Sequence, residues 1–201
     1  MNENSKFPEF IELLNTSINK SPNEVGGNIS GDYIGEGLSI KNHLLQVADR
    51  AMDNGEPDYI VVACFLHDIG QLLGDDDTNG YGSKDHGQIG AHYVEHKLKI
   101  SDQRILDGIR YHIDAKRYLV TIDQTYINKL SDASKETLKY QGGTMSKEEL
   151  AKFRSIPNCE IAVKVRKYDD MGKQKNRSTR PLNYYLWLIS KTTKFEFGKS
   201  Y

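Results

Sequence analysis

The chain carries no strong excess of either charge. Its 27 Lys and Arg nearly balance 28 Asp and Glu, for a net charge of -1 over 201 residues. Nucleic acid and anionic membrane surfaces call for a basic footprint, and none is present. Cysteine is scarce as well. Cys64 and Cys159 stand far apart, and Cys64 sits in the apolar run Ile60 to Leu66. That placement favours a buried, reduced thiol over a disulfide. No apolar run approaches membrane-spanning length, and the N-terminus lacks the basic start and apolar centre of a secretory leader. Internal repeats and an obvious second domain are also missing. The expectation is one cytoplasmic domain over residues 1–201, with a soluble composition of 37% hydrophobic and 27% charged residues.

What is present is mostly helical periodicity. Residues 6–20 carry Phe7, Phe10, Ile11, Leu13, Leu14 and Ile18, a helical pattern with one apolar face. A glycine-dense loop follows over residues 26–37, in which Tyr33 and Glu36 are the side chains with chemistry to offer. Ser39 reads as an N-cap. From there Ile40, His43, Leu44, Val47 and Ala51 recur at helical spacing, which puts His43 on the apolar face. The turn Asn54-Gly55-Glu56-Pro57 predicts an antiparallel partner helix through Leu66.

That partner ends in Phe65-Leu66-His67-Asp68-Ile69-Gly70. Burying adjacent His and Asp side chains is costly unless a cation lies between them. The plain alternative is a helix-ending pair with Asp68 accepting a hydrogen bond.

Further along, Asp75-Asp76-Asp77 lacks the alternating pattern of a calcium loop and reads as solvated acid. His86-Gly87-x-x-Gly90-Ala91 opens another helix. His92 and His96 stand at i, i+4 on it, a spacing able to chelate metal. The charged neighbours Glu95, Lys97 and Lys99 mark that face as exposed. Ile105, Ile109 and His112 predict one continuous helix reaching Leu119. Lys116 and Arg117 on it are either solvated charges or anion ligands. Ser131 and Ser146 read as caps, the latter in a capping box with Glu149. The last long helix starts near Cys159. On it, Asp169-Asp170 after Arg166-Lys167 reads most simply as surface ion pairing. A short helix over 181–190 closes the pattern.

Taken together, His43, His67-Asp68, His86, His112 and Asp169 form the ordered pattern H…HD…H…H…D. This resembles the HD-domain superfamily, which implies an all-α helical bundle with a buried dinuclear metal site. A narrower resemblance rests on Tyr33-x-x-Glu36-x-x-Ser39-x-x-x-His43, His86-Gly87-x-x-Gly90-Ala91, His112-x-x-Ala115-Lys116-Arg117-Tyr118-Leu119, Leu130-Ser131-x-Ala133-Ser134, Gln141-Gly142-Gly143-x-Met145-Ser146 and Tyr168-Asp169-Asp170. Over residues 28–175 the chain is similar to the mixed-valent diiron oxygenases of the PhnZ and TmpB type, with myo-inositol oxygenase more distant. Those enzymes use O2 to cleave the carbon–phosphorus bond of 1-hydroxyphosphonates.

The resemblance implies a role for each matching residue. His43, His67, Asp68 and Asp169 would hold one iron, and Asp68, His86 and His112 the other, as an Fe(II)/Fe(III) pair with O2 as co-substrate. Tyr33 would occupy an open position in the resting enzyme, and Glu36 would pair with a substrate ammonium. Lys116, Ser134 and Gln141 would hold the anionic end of a zwitterionic or anionic small molecule. Gln71 stands where family members often carry a second histidine, and glutamine brings hydrogen bonding without positive charge. Two other readings compete. An HD phosphohydrolase would attack a nucleotide or phosphate ester with a bridging hydroxide, but it has no evident use for the Tyr33-x-x-Glu36 loop. A degenerate module that only binds a partner fits poorly with a complete ligand set.

Overall fold

A computed structural model of the chain describes residues 7–19, 38–75, 78 and 80–194. The described residues form ten α-helices joined by turns, with no strand among them. Tyr33, Glu36 and part of the Asp75–Asp77 run lie outside the described residues.

The helix α3 (Asp58–Leu66) is the centre of the packing. Its residues Ile60 to Leu66 are all buried and all apolar. A helix apolar on every side needs neighbours on every side. It receives α2 (Ile40–Asp53), α5 (Gln103–Arg110), α9 (Cys159–Met171) and α10 (Leu182–Lys194). Phe65 stacks on Tyr185 of α10 with ring centroids 5.1 Å apart, and meets Phe10 of α1 (Pro8–Asn19) edge-on at 6.1 Å. Cys64 is a free, buried thiol inside this core.

Local signals in the sequence set several boundaries. Ser39 accepts a hydrogen bond from Asn42 N–H at the start of α2. Ser131 caps α7 (Asp132–Tyr140), and Ser146 with Glu149 forms the full capping box of α8 (Lys147–Arg154). Gly55 turns the chain between α2 and α3 with φ of 72°, in the left-handed region. After α3, Asp68 leads into a tight turn, Ile69–Leu72. A Cβ on Gly70 would lie 1.9 Å from the His86 carbonyl oxygen. Glycine at this position therefore lets the start of α4 (His86–His96) sit directly on the His67-Asp68 turn.

Two expectations are corrected. The helix expected to run unbroken to Leu119 is two helices, α5 and α6 (His112–Ile122), hinged at Tyr111 with φ of -107° and ψ of 9°. The break lets His112 Nδ1 reach back to the Ile109 carbonyl at 2.7 Å, outside the regular helical ladder. The closing helix also runs past residue 190 to Lys194, because Leu186 and Ile189 keep one face buried while Trp187 faces outward.

Candidate metal centre

Four helices and one turn deliver six side chains to one buried point. α2 brings His43, and the turn after α3 brings His67 and Asp68. α4 and α6 bring His86 and His112 from their first residues, and α9 brings Asp169 from its last turn. All six are at most 5% exposed. The other two of the six histidines, His92 and His96, stack on each other on the exposed face of α4 and take no part.

The four rings are aimed by the backbone. The Nδ1 atoms of His43, His67, His86 and His112 lie 2.6–3.1 Å from the carbonyls of Gly172, Cys64, Ser83 and Ile109. A carbonyl only accepts, so each Nδ1 carries the ring proton and each Nε2 presents a lone pair. Those lone pairs meet in two pairs. His43 and His67 Nε2 are 3.3 Å apart, and His86 and His112 Nε2 are 3.0 Å apart.

Asp68 straddles the two pairs. Its Oδ2 lies 3.4 Å from His67 Nε2 and 3.6 Å from His43 Nε2. Its Oδ1 lies 3.2 Å from both His86 and His112 Nε2. Asp169 joins the first pair alone, with Oδ1 3.3 Å from His43 Nε2. Converging lone pairs and carboxylate oxygens repel one another unless a cation sits among them. Imidazole with carboxylate is the donor set of a first-row transition metal. Among the described residues two such groups are present: His43, His67 and Asp169, and His67, Asp68 and His112.

The electrostatics favour the ligating forms of His112 and of both aspartates, while at His67 burial is outweighed by the Asp68 charge and hydrogen bond, which raise its pKa. Burial pushes His112 down to about 4, so its ring is a neutral base at neutral pH. Burial also works to raise Asp68 and Asp169, yet both are held well below the usual carboxylate range. His67 and the hydrogen bonds of the neighbouring rings do this for Asp68, and Arg166 and Lys173 for Asp169.

A small cavity opens beside the second histidine pair. Asp68, His86 and His112 form its floor. Lys116, Arg166 and Lys173 form a cationic wall, completed by Ser134, Thr137, Gln71 and Gln141. Lys116 is buried and donates to Thr137 Oγ1 at 2.8 Å. Burial, and then the Arg166 charge, push its ammonium well below the ordinary lysine value. Lys173 Nζ donates to Ser134 Oγ at 2.9 Å and Ser131 Oγ at 3.2 Å. Gln141 lines the cavity with a buried Oε1 that has no hydrogen-bond partner among the described residues.

Gln71 does more than face the cavity. Its carboxamide rests 2.9 Å from His86 Nδ1, and its oxygen accepts Ser83 N–H at 3.2 Å. Its Nε2 and the protonated His86 Nδ1 are both donors, so Gln71 holds the Ser83 segment that aims His86 rather than the ring itself.

Arg166 and Lys173 are absent from the set expected at the site. The surface reading of Arg166 and Asp169 is corrected: they are 4% and 1% exposed and form a buried pair. Spacing of i, i+3 is the same for a solvated pair and a buried one, so the pattern carried no sign of burial. Lys173 opens a basic, polar segment and looked like part of it. Its one available signal is a position four residues after Asp169, just past Gly172.

Comparison with known proteins agrees with this geometry. Residues 40–152 match the HD domain family. The chain is 40% identical to an uncharacterized protein of Acanthamoeba polyphaga mimivirus, over 90% of this chain and 82% of the relative. It is 38% identical to the [1-hydroxy-2-(trimethylamino)ethyl]phosphonate dioxygenase (glycine-betaine-forming) of Leisingera caerulea, over 83% and 85% of the two chains. It is 32% identical to the hydroxymethylphosphonate dioxygenase of Gimesia maris, over 76% and 77%. With the ligand pattern, the helical fold and these relatives in agreement, the chain belongs to the HD-domain family, in the group of HD-fold oxygenases that holds the two phosphonate dioxygenases.

Proposed function

We propose that this protein is an O2-dependent diiron oxygenase that cleaves the carbon–phosphorus bond of a 1-hydroxy-2-aminoethylphosphonate-like substrate, with the chain acting as one domain. The observation that carries the proposal is the position of Asp68 between two facing pairs of histidine Nε2 atoms, with the cationic wall on one side. His43, His67, Asp68 and Asp169 would hold one iron, and Asp68, His86 and His112 the other. Iron bound there supplies the one-electron and O2 chemistry that protein side chains lack.

The chain's own residues do the rest. Lys116, Lys173 and Arg166 oppose the charge of a phosphonate, and Ser134 and Thr137 offer it hydroxyls. Burial disfavours the charged form of Lys116, and an incoming anion offsets that penalty. Gln71 serves chiefly to hold the Ser83 segment that aims His86, and Gln141 offers an unused acceptor to a hydroxyl or ammonium. Tyr33 and Glu36 keep the roles the resemblance implies, a displaceable ligand and an ammonium partner.

The test is turnover of iron-loaded protein with 1-hydroxyphosphonates in air and under argon. Phosphate release that consumes O2 and stops under argon is expected, with a mixed-valent EPR signal that changes when substrate is added. Release of phosphate from a phosphate ester under argon, with no oxygen uptake on any phosphonate, would replace this reading with hydrolysis.

A further inference from the structure

The two buried aspartates of the centre are not equivalent, and Arg166 is the reason. Asp68 turns both oxygens toward histidine nitrogens. Asp169 turns only Oδ1 that way, because Arg166 Nη1 holds Oδ2 at 2.6 Å. The guanidinium is itself locked. It ion-pairs with Asp170, and its Nη2 donates to Ser134 Oγ at 3.4 Å. Asp170 in turn accepts the Tyr126 hydroxyl. A planar fork buried to 4% exposure and held at both ends has little freedom to release its carboxylate. Asp169 and Arg166 lie one helical turn apart on α9, so the backbone keeps them in register.

We infer that Arg166 is a positioning residue that restricts Asp169 to one-oxygen ligation and leaves Asp68 as the bridge between the metals. This rests on the two-metal reading above. Freed from the fork, the Asp169 carboxylate can rotate both oxygens onto the metal of the first pair. That adds a coordination position and makes this metal harder to reduce. A guanidinium on the distal oxygen does the reverse, since it draws charge from the ligand. The arrangement therefore makes the two metals unlike each other before substrate arrives. It also places a single side chain in contact with both a metal ligand and the cationic wall, through Ser134.

Cobalt(II) reports coordination number directly, through the strength of its visible absorption. Wild-type protein, Arg166→Lys and Arg166→Met are loaded with Co(II) alone, and the absorption per bound cobalt is compared. Tyr126→Phe, which disturbs Asp170 without touching Asp169, is the control. Arg166→Lys is expected to keep both metals and to lose up to about half of the absorption per cobalt, the direction for one of the two sites gaining a ligand. Arg166→Met is expected to show the same loss if it folds, and the lysine variant decides if it does not. Tyr126→Phe is expected to match wild type. Two cobalt ions bound by every variant with unchanged absorption would overturn the inference and leave the two-metal reading standing. An equal change in Tyr126→Phe would also overturn it, by showing a general response of the network. Failure of the wild type to bind two cobalt ions would overturn both.

Discussion

Asp49 and Asp68 are two buried carboxylates in one helical bundle, and they are surrounded in opposite ways. Asp49, on α2, is 4% exposed and faces donors throughout. The Tyr185 hydroxyl donates to it, as do Arg180 Nη1 at 2.9 Å and the Arg180 backbone N–H at 3.3 Å. Its charge is answered within the protein, and its effect is to pin the segment before α10 against α2. Asp68 faces four imidazole Nε2 atoms, a ligand set that suits a transition metal. A buried charge ringed by donors marks architecture, and a buried charge ringed by acceptors marks a binding centre.

The sharpest way to break the comparison is to delete each carboxylate. Asp68→Ala is expected to lose both metals while the helical fold persists, as read by metal analysis and circular dichroism. Retention of two metals per chain would contradict the bridging role. Gln71→Ala should leave the fold intact and weaken metal binding by about 10–100-fold, the usual loss when a ligand's support is removed. Competition with a chelator measures it, and an unchanged affinity would return Gln71 to a purely substrate-facing role. Asp49→Ala should show the opposite pattern. It leaves the buried Tyr185 hydroxyl without its acceptor, at a cost of about 1–3 kcal/mol in chemical denaturation, and metal content should not change.

The smallest effect belongs to Lys116. Burial lowers its folded pKa below the unfolded value of 10.5. The sign follows from proton counting. Below the folded pKa the charged amine is held at a penalty, and between the two values the unfolded chain binds more protons, so stability rises with pH. Metal-free Lys116→Met should therefore melt slightly higher than wild type near neutral pH. The gap should close as pH climbs toward 10.5. A gap that is constant across that range would show that Lys116 pays no burial penalty.

His43, His67-Asp68 and His112 stood out in the sequence as ionisable groups on apolar faces, whereas His86 and Asp169 joined them only through the ordered pattern and the family resemblance. His43 falls on the buried face of α2, and His67-Asp68 follows seven apolar residues. Helix caps at Ser39, Ser131 and Ser146 were legible for a different reason, since capping is local chemistry. What escaped was tertiary. The hinge at Tyr111 carries no proline or glycine, and its cause is the pull of His112 toward the centre. Arg166 sits three residues before an aspartate in a charged run, and nothing in that run separates the inward side of α9 from the outward side. The hold of Gln71 on Ser83 joins positions 12 apart through a fold that sequence spacing does not describe.

The aiming of the four rings has an evolutionary consequence. Each imidazole leans on a main-chain oxygen, and every amino acid supplies one. Substitutions at Cys64, Ser83 or Ile109 that preserve size cannot delete the acceptor, so these positions are free to drift while the centre keeps its geometry. Gly172 is the exception. A Cβ there would come within 2.2 Å of Val47 Cγ2, which would push α9 away and carry the carbonyl that holds His43 with it. Mutational sensitivity in this support layer should thus concentrate at one glycine, the residue with the least chemistry of its own.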